Sequence, residues 1–125
     1  MIRIRRIYDD ILPLNKGTLA QVQEILRSRF TTVSEKEIDL LPDKLRNPFK
    51  HRFRTVLFVA ESMKGKVQGF ATLLNEPDLR FAYLDWIATA FTRGGAGIGG
   101  ALYDRVRREA SALRVDGLFY ECLPD

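Results

Sequence analysis

The sequence predicts a mixed α/β domain of order β-α-α-β-β-β-α-β, with an antiparallel meander at its centre and its fourth and fifth strands parallel. Three observations lead there. Apolar residues recur with a period of two at the start of the chain, and from Thr55 to Thr89 short apolar runs and an alternating segment are separated by turn residues, the signature of strands. Two stretches with helical spacing and cap residues lie between those regions. A glycine-rich loop then opens a third helical stretch that ends in a last apolar run, and a helical crossover between two strands makes them parallel.

Each element follows in order. Ile2, Ile4 and Ile7 alternate with arginines as a half-buried first strand, with Ile2 and Ile4 on one face. Thr18 with Gln21 reads as a capping box, and Leu19, Val22, Ile25, Leu26 and Phe30 give an amphipathic helix of about three turns. Ser34 with Glu37 repeats the device before Ile38 and Leu41, and Pro42 is expected to end or kink this second helix. "TVLFVAE" and "VQGFATLLN" flank "SMKGK" as a hairpin, and "EPDL" turns the chain into "RFAYLDWIAT". Strict alternation there would place Phe81, Tyr83, Asp85, Ile87 and Thr89 on one face, and Ala82, Leu84, Trp86 and Ala88 on the other. Ile98, Leu102, Val106, Ala110 and Leu113 then mark the third helix, opposite Asp104, Arg105, Arg107, Arg108 and Ser111. "DGLFYECL" is the fifth strand.

The 125 residues suffice for one domain, taken as 1–125, and 46% apolar with 29% charged residues is the balance of an ordinary soluble protein. "MIRIRRIYDD" has no continuous apolar core, so neither a signal peptide nor a membrane anchor is expected, and the chain reads as cytoplasmic. The single cysteine, Cys122, fits a reducing compartment and packing, and lacks the companions of a zinc site; no metal is expected. A net charge of +4 falls short of a nucleic-acid signature but suits a phosphate-bearing small molecule. The clusters Arg3 to Arg6 and Lys50 to Arg54 read as solvated faces, and the only histidine, His51, as a surface residue.

The segment "TRGGAGIGGAL" carries five glycines in eleven residues immediately before a helix. Such a loop either lets a helix pack closely or presents bare backbone N–H groups to an anion at the helix N-terminus. The nucleotide-triphosphatase loop is excluded, because Gly99 is followed by Gly100 and Ala101 rather than by lysine and a hydroxyl residue. Gly95, Gly97 and Gly100 do satisfy the dinucleotide pattern G-x-G-x-x-G, with Glu121 about 20 residues on in the place of a ribose-binding acid. That pattern should open a domain directly after a parallel strand, whereas here it lies late, behind a meander. NAD or FAD binding stays as an alternative.

The order of elements, with "LDWIAT" before "GGAGIG" and "GALYDRVRREA" after it, resembles the GNAT superfamily of acetyl-CoA-dependent N-acyltransferases over essentially the whole chain. "RFRTVLFVAE", "GIGGALYDRVR" and "GLFYECLPD" are further similar to the acetyltransferase-like N-terminal domain of bacterial proteins that carry it fused to a deacetylase-like domain. The resemblance implies that the loop holds the coenzyme A pyrophosphate on the amides of Gly95, Ala96, Gly97, Ile98 and Gly99, with Arg93 and Gly94 beside them. Gly94 stands where the family usually has Arg or Gln, and Arg93 comes one residue earlier. Ile87, Ala88 and Thr89 would pair with the pantetheine amides in the opening between the fourth and fifth strands. An amine acceptor would then attack the thioester directly, with Asp85 as general base and Glu121 as the second carboxylate for that role. The family's general-acid tyrosine, on a helix after the fifth strand, has no counterpart after Tyr120, and the family's last helix and two strands do not follow Asp125. Two alternatives therefore accompany acetyl transfer: a non-catalytic binding module, dimeric through the exposed edge of the fifth strand, and the dinucleotide domain. Neither nucleic acid nor membrane is expected as a partner.

Overall fold

The computed structural model describes residues 2–30, 32–51, 53–76, 78–90 and 97–119. The elements are β1 (Ile2–Ile7), α1 (Pro13–Arg29), α2 (Glu35–Arg46), a short 3-10 turn (Pro48–Lys50), β2 (Arg54–Ser62), β3 (Val67–Glu76), β4 (Phe81–Thr89), α3 (Ile98–Ala112) and β5 (Gly117–Phe119). One sheet runs β1-β2-β3-β4-β5, antiparallel except for the β4–β5 pair, where Phe81, Ala82 and Tyr83 lie beside Gly117, Leu118 and Phe119. The mixed α/β order and the parallel final pair are those the sequence predicts.

Two apolar layers sandwich the sheet. On one face α1 and α2 contribute Leu19, Val22, Ile25, Leu26, Ile38, Leu41 and Leu45 against Leu57, Val59, Phe70 and Ala88. On the other, Ile98, Leu102, Val106 and Ala110 of α3 meet Val56, Phe58, Ala71, Leu73, Ala82 and Leu84. This division follows from strand alternation: β2, buried along nearly its whole length, sends odd residues to one layer and even residues to the other.

Three local expectations are corrected. First, α1 begins at Pro13, not at Thr18. Proline at the first helical position lacks only an N–H that would go unpaired there. Thr18 is buried mid-helix, donating from Oγ1 to the Leu14 carbonyl at 3.0 Å and accepting from Arg5 at 3.0 Å. Gln21 instead pins α1 to the β2–β3 turn, donating to the Gly65 carbonyl and accepting from the Val67 N–H. Second, of the end or kink expected at Pro42, the end is not found: α2 continues through it to Arg46. The carbonyl that a residue-42 N–H would have bonded belongs to Ile38, and it accepts from the Gln23 side chain at 2.9 Å instead, so α1 supplies the donor that the proline removes. The Ser34 cap is as expected, its side chain accepting from the Glu37 N–H.

Third, Arg3 to Arg6 is not a solvated face. Arg3 and Arg5 donate to one oxygen of Glu61, which is 1% exposed, and Arg5 continues to Asn15 and Thr18 of α1. Arg6, itself largely buried, reaches Glu109 of α3 at 3.6 Å. Burial works against ionisation of Glu61, but the Arg5 and Arg3 hydrogen bonds outweigh it and hold the carboxyl below its ordinary value. A depressed pKa contributes stability that is present above the unfolded-state value and is lost as pH falls through the folded one. Glu61→Gln should therefore destabilise the fold by about 1–3 kcal/mol at neutral pH, leaving two arginines short of a charge, and by progressively less in acid. Urea unfolding of both proteins at pH 7 and pH 3.5 measures this; an equal difference at the two values would contradict the ion-pair account.

Candidate active site

The geometry of the site originates in β4. Its register against β3 shifts between Thr72 and Leu73: Trp86 lies opposite Thr72 but Leu84 lies opposite Leu73, which leaves Asp85 as an extra, bulged residue. The Trp86 N–H is satisfied by the Thr72 hydroxyl at 3.0 Å. The bulge reverses the strand's phase. Ala82 and Leu84 face α3, whereas Trp86 and Ala88 face α1 and α2, and Ile87 joins the α3 layer. Strict alternation along β4 thus fails, and with it the expectation that Asp85 shares a face with Ile87 and that Trp86 faces away from Asp85.

Asp85 and Trp86 both line a cavity of about 240 Å³ between the sheet and the α1–α2 pair. Its walls are Leu26, Val33 and Leu41 from the helical side, Thr55, Thr72 and Leu74 from the sheet, and Glu37 and Lys44 of α2. The Trp86 ring is fixed by Phe30, with centroids 4.6 Å apart. Burial pushes the Asp85 carboxyl above its ordinary pKa; Lys44 opposes that and Glu37 adds to it. Among the described residues nothing donates a hydrogen bond to this carboxylate. A half-buried carboxyl with a raised pKa, open to a cavity, has the properties of a proton acceptor near neutral pH.

The other predicted residues that the structure describes, Ile87 to Thr89, Ile98 and Gly99 with Gly97, lie at the far end of β4 and the start of α3. Ile87, Ala88 and Thr89 pair with Ala71, Phe70 and Gly69 of β3, and among the described residues β5 meets β4 only at Phe81–Tyr83. Gly97, the N-cap of α3, has φ +79°, and the first intrahelical bond runs from the Ala101 N–H to its carbonyl. The N–H groups of Ile98, Gly99 and Gly100 therefore precede the helix's own ladder, at its positive end. Ile98 turns its side chain into the core, while Gly97 and Gly100 are exposed. Arg93, Gly94, Gly95, Ala96 and Glu121 lie outside the described residues, as do Tyr120 and Cys122. His51 is a surface partner of Asp43, Nε2 to Oδ2 at 2.8 Å, and lines no part of the cavity.

Sequence reasoning missed Gly69 of β3. A Cβ there would stand 2.8 Å from the Ala88 carbonyl oxygen and 3.2 Å from both Ile98 Cγ2 and Leu102 Cδ1. The absence of that carbon is what lets the start of α3 approach the end of β4, bringing the two predicted cofactor-binding segments together. A glycine inside an otherwise apolar strand is the signal that could have revealed it. Glu37, Lys44 and Trp86 were also missed as cavity residues, because the bulge that exposes Asp85 beside them has no sequence marker.

A five-stranded mixed sheet of this order, with two helices on one face and the third on the other, is the fold of the GNAT acetyltransferases. Solved structures that share it include Tetrahymena GCN5 (TM-score 0.78, 17% identity, covering 96% of this chain and 70% of that one). A tandem GNAT protein from the clavulanic acid biosynthesis pathway superposes with a TM-score of 0.75 at 20% identity, covering 100% of this chain and 38% of the other. A ribosomal-protein-alanine N-acetyltransferase from Brucella melitensis biovar Abortus 2308 gives 0.69 at 18% identity, with 98% and 81% covered. No protein-family model and no curated protein sequence matches the chain. The likeness is one of fold.

Proposed function

We propose that this chain is an N-acetyltransferase domain that binds acetyl-CoA across the end of β4 and the start of α3 and passes the acetyl group to an amine held in the Asp85 cavity. The carrying observation is the juxtaposition made by Gly69 and the bulge: a helix start whose first amides precede its own hydrogen-bond ladder adjoins the end of the strand that also carries a raised-pKa carboxyl into a cavity. The amides of Ile98 and Gly99 and the bare backbone of Gly97 would receive the pyrophosphate, together with Arg93 to Ala96. The backbone of Ile87–Thr89, on the edge away from β3, would pair with pantetheine as an added strand. Asp85 would take the proton from the attacking amine, and Glu37 with the Trp86 face would favour a cationic one before it reacts. A parallel dinucleotide-binding sheet is not the sheet seen here, where four of five strands are antiparallel. The reading places the protein in the cytoplasm, where acetyl-CoA is supplied; among the described residues no helix is long and apolar enough to cross a membrane.

Calorimetric titration with coenzyme A and acetyl-CoA tests the binding step, and saturable heat at micromolar concentrations is the expected result. Absence of heat with both would overturn the proposal. Gly99 separates ligand contact from folding: a Cβ there meets nothing within 4 Å, and alanine suits a helix better than glycine. Gly99→Ala should leave the fold intact or stabilise it by up to about 1 kcal/mol, while weakening coenzyme A binding about tenfold through crowding of the pyrophosphate. If affinity is unchanged, the ligand does not approach this turn.

A further inference from the structure

A second cavity, of about 450 Å³, lies on the opposite face of the sheet and is lined by Arg54, Asn75, Arg80, Leu113, Arg114 and Val115. It stands back to back with the first: Thr55 and Leu74 face the Asp85 cavity, while their neighbours Arg54 and Asn75 face this one. Gly97 and the start of α3 are at the other end of β4, about 25 Å away along the strand.

Three arginines converge here, and they are not neutralised by acidic groups to the same extent. Arg80 is shared with Asp116 at 3.6 Å and donates to the Arg114 carbonyl at 3.2 Å. Among the described residues Arg54 and Arg114 make no ion pair, and Glu76, the nearest acid on β3, accepts from the Asp78 N–H. The cavity is therefore electropositive. Asn75, 4% exposed, lines the cavity from β3. The frame around it is fixed. Arg114 follows α3 with φ 57°, its N–H bonding the Ser111 carbonyl and the Val115 N–H that of Ala110, while the Asp116 N–H bonds the Arg80 carbonyl at 2.6 Å.

We propose that this cavity is a binding site for a small phosphate-bearing organic molecule. Guanidinium groups from three separate elements match the several oxygens of a phosphate, and Leu113 with Val115 supply an apolar wall for the rest of the ligand. The volume exceeds what one phosphate group fills, which is why an organic phosphate is assigned rather than the free ion.

Residue-resolved NMR titration with inorganic pyrophosphate, and separately with citrate, at constant ionic strength tests this. Saturable shifts at Arg54, Asn75, Arg80 and Leu113 to Val115 are expected with pyrophosphate, and they should be lost or weakened at least tenfold in an Arg54→Gln, Arg114→Gly double variant. Glycine fits the left-handed backbone at 114, so the fold is retained, and a melting curve verifies it. Shifts at Ile98 to Gly100 report the coenzyme A loop and should survive in the double variant, so the two sites fail or succeed separately. Non-saturating shifts, unchanged affinity in the double variant, or tighter binding of citrate than of pyrophosphate would each overturn the assignment.

Discussion

On the proposed function, Asp85→Asn is expected to lower kcat for acetyl transfer by about 10²–10⁴-fold while leaving coenzyme A affinity within a factor of about two, because the carboxylate would serve proton removal and not the binding of pyrophosphate. The same substitution should raise the melting temperature at pH 7. The sign follows from the raised pKa: the folded chain holds the Asp85 proton more tightly than the unfolded chain does, so ionisation above the folded value diminishes stability, and an amide has no charge to bury. The stabilisation should shrink and vanish as pH drops below the ordinary carboxylate range. For the native chain, the acid limb of the rate profile should lie above that of a solvated aspartate, activity rising as pH climbs through the raised value. A full-rate Asn variant would remove Asp85 from the chemistry.

The second large effect concerns Gly69. Gly69→Ala forces a methyl to 2.8 Å from the Ala88 carbonyl oxygen, and a backbone oxygen held in a sheet cannot swing aside as a side chain can. The start of α3 must move instead, since Ile98 and Leu102 press on the same point. A loss of about 1–3 kcal/mol in unfolding free energy is expected. Coenzyme A affinity should fall at least tenfold along with it, although the residue would touch no part of the ligand. Denaturant unfolding and calorimetry on the same preparation measure both, and a stable variant with native affinity would show that the close approach positions nothing.

These two residues also mark where sequence reading succeeds and fails. The meander and β5 were legible because apolar runs bounded by turn residues mark each strand, and α3 because its helical period is unbroken; Asp85 was legible as a carboxylate on β4. Its surroundings were not. A bulge adds one residue without requiring any particular side chain, so Leu84, Asp85 and Trp86 look like uninterrupted alternation while the backbone has already changed phase. The start of α1 was misplaced for a related reason: Thr18 and Gln21 have cap spacing, but both side chains are engaged with distant partners, Arg5 and the Gly65–Val67 turn. Pro42 misled because the donor that compensates for it, Gln23, lies on another helix. In each case a long-range hydrogen bond settled a question that local sequence posed. Gly69 belongs to a different class, since a lone strand glycine does announce a close approach, only without naming what approaches.

The bulge makes position 85 unlike its neighbours on β4. Substituting Asp85 changes chemistry and preserves geometry. Deleting it would restore regular pairing and leave the flanking side chains on the faces they already occupy, because Leu84 already lies opposite Leu73 and Trp86 opposite Thr72. Loss of this single codon would thus spare both packed faces and remove only the carboxyl and the kink that present it to the cavity.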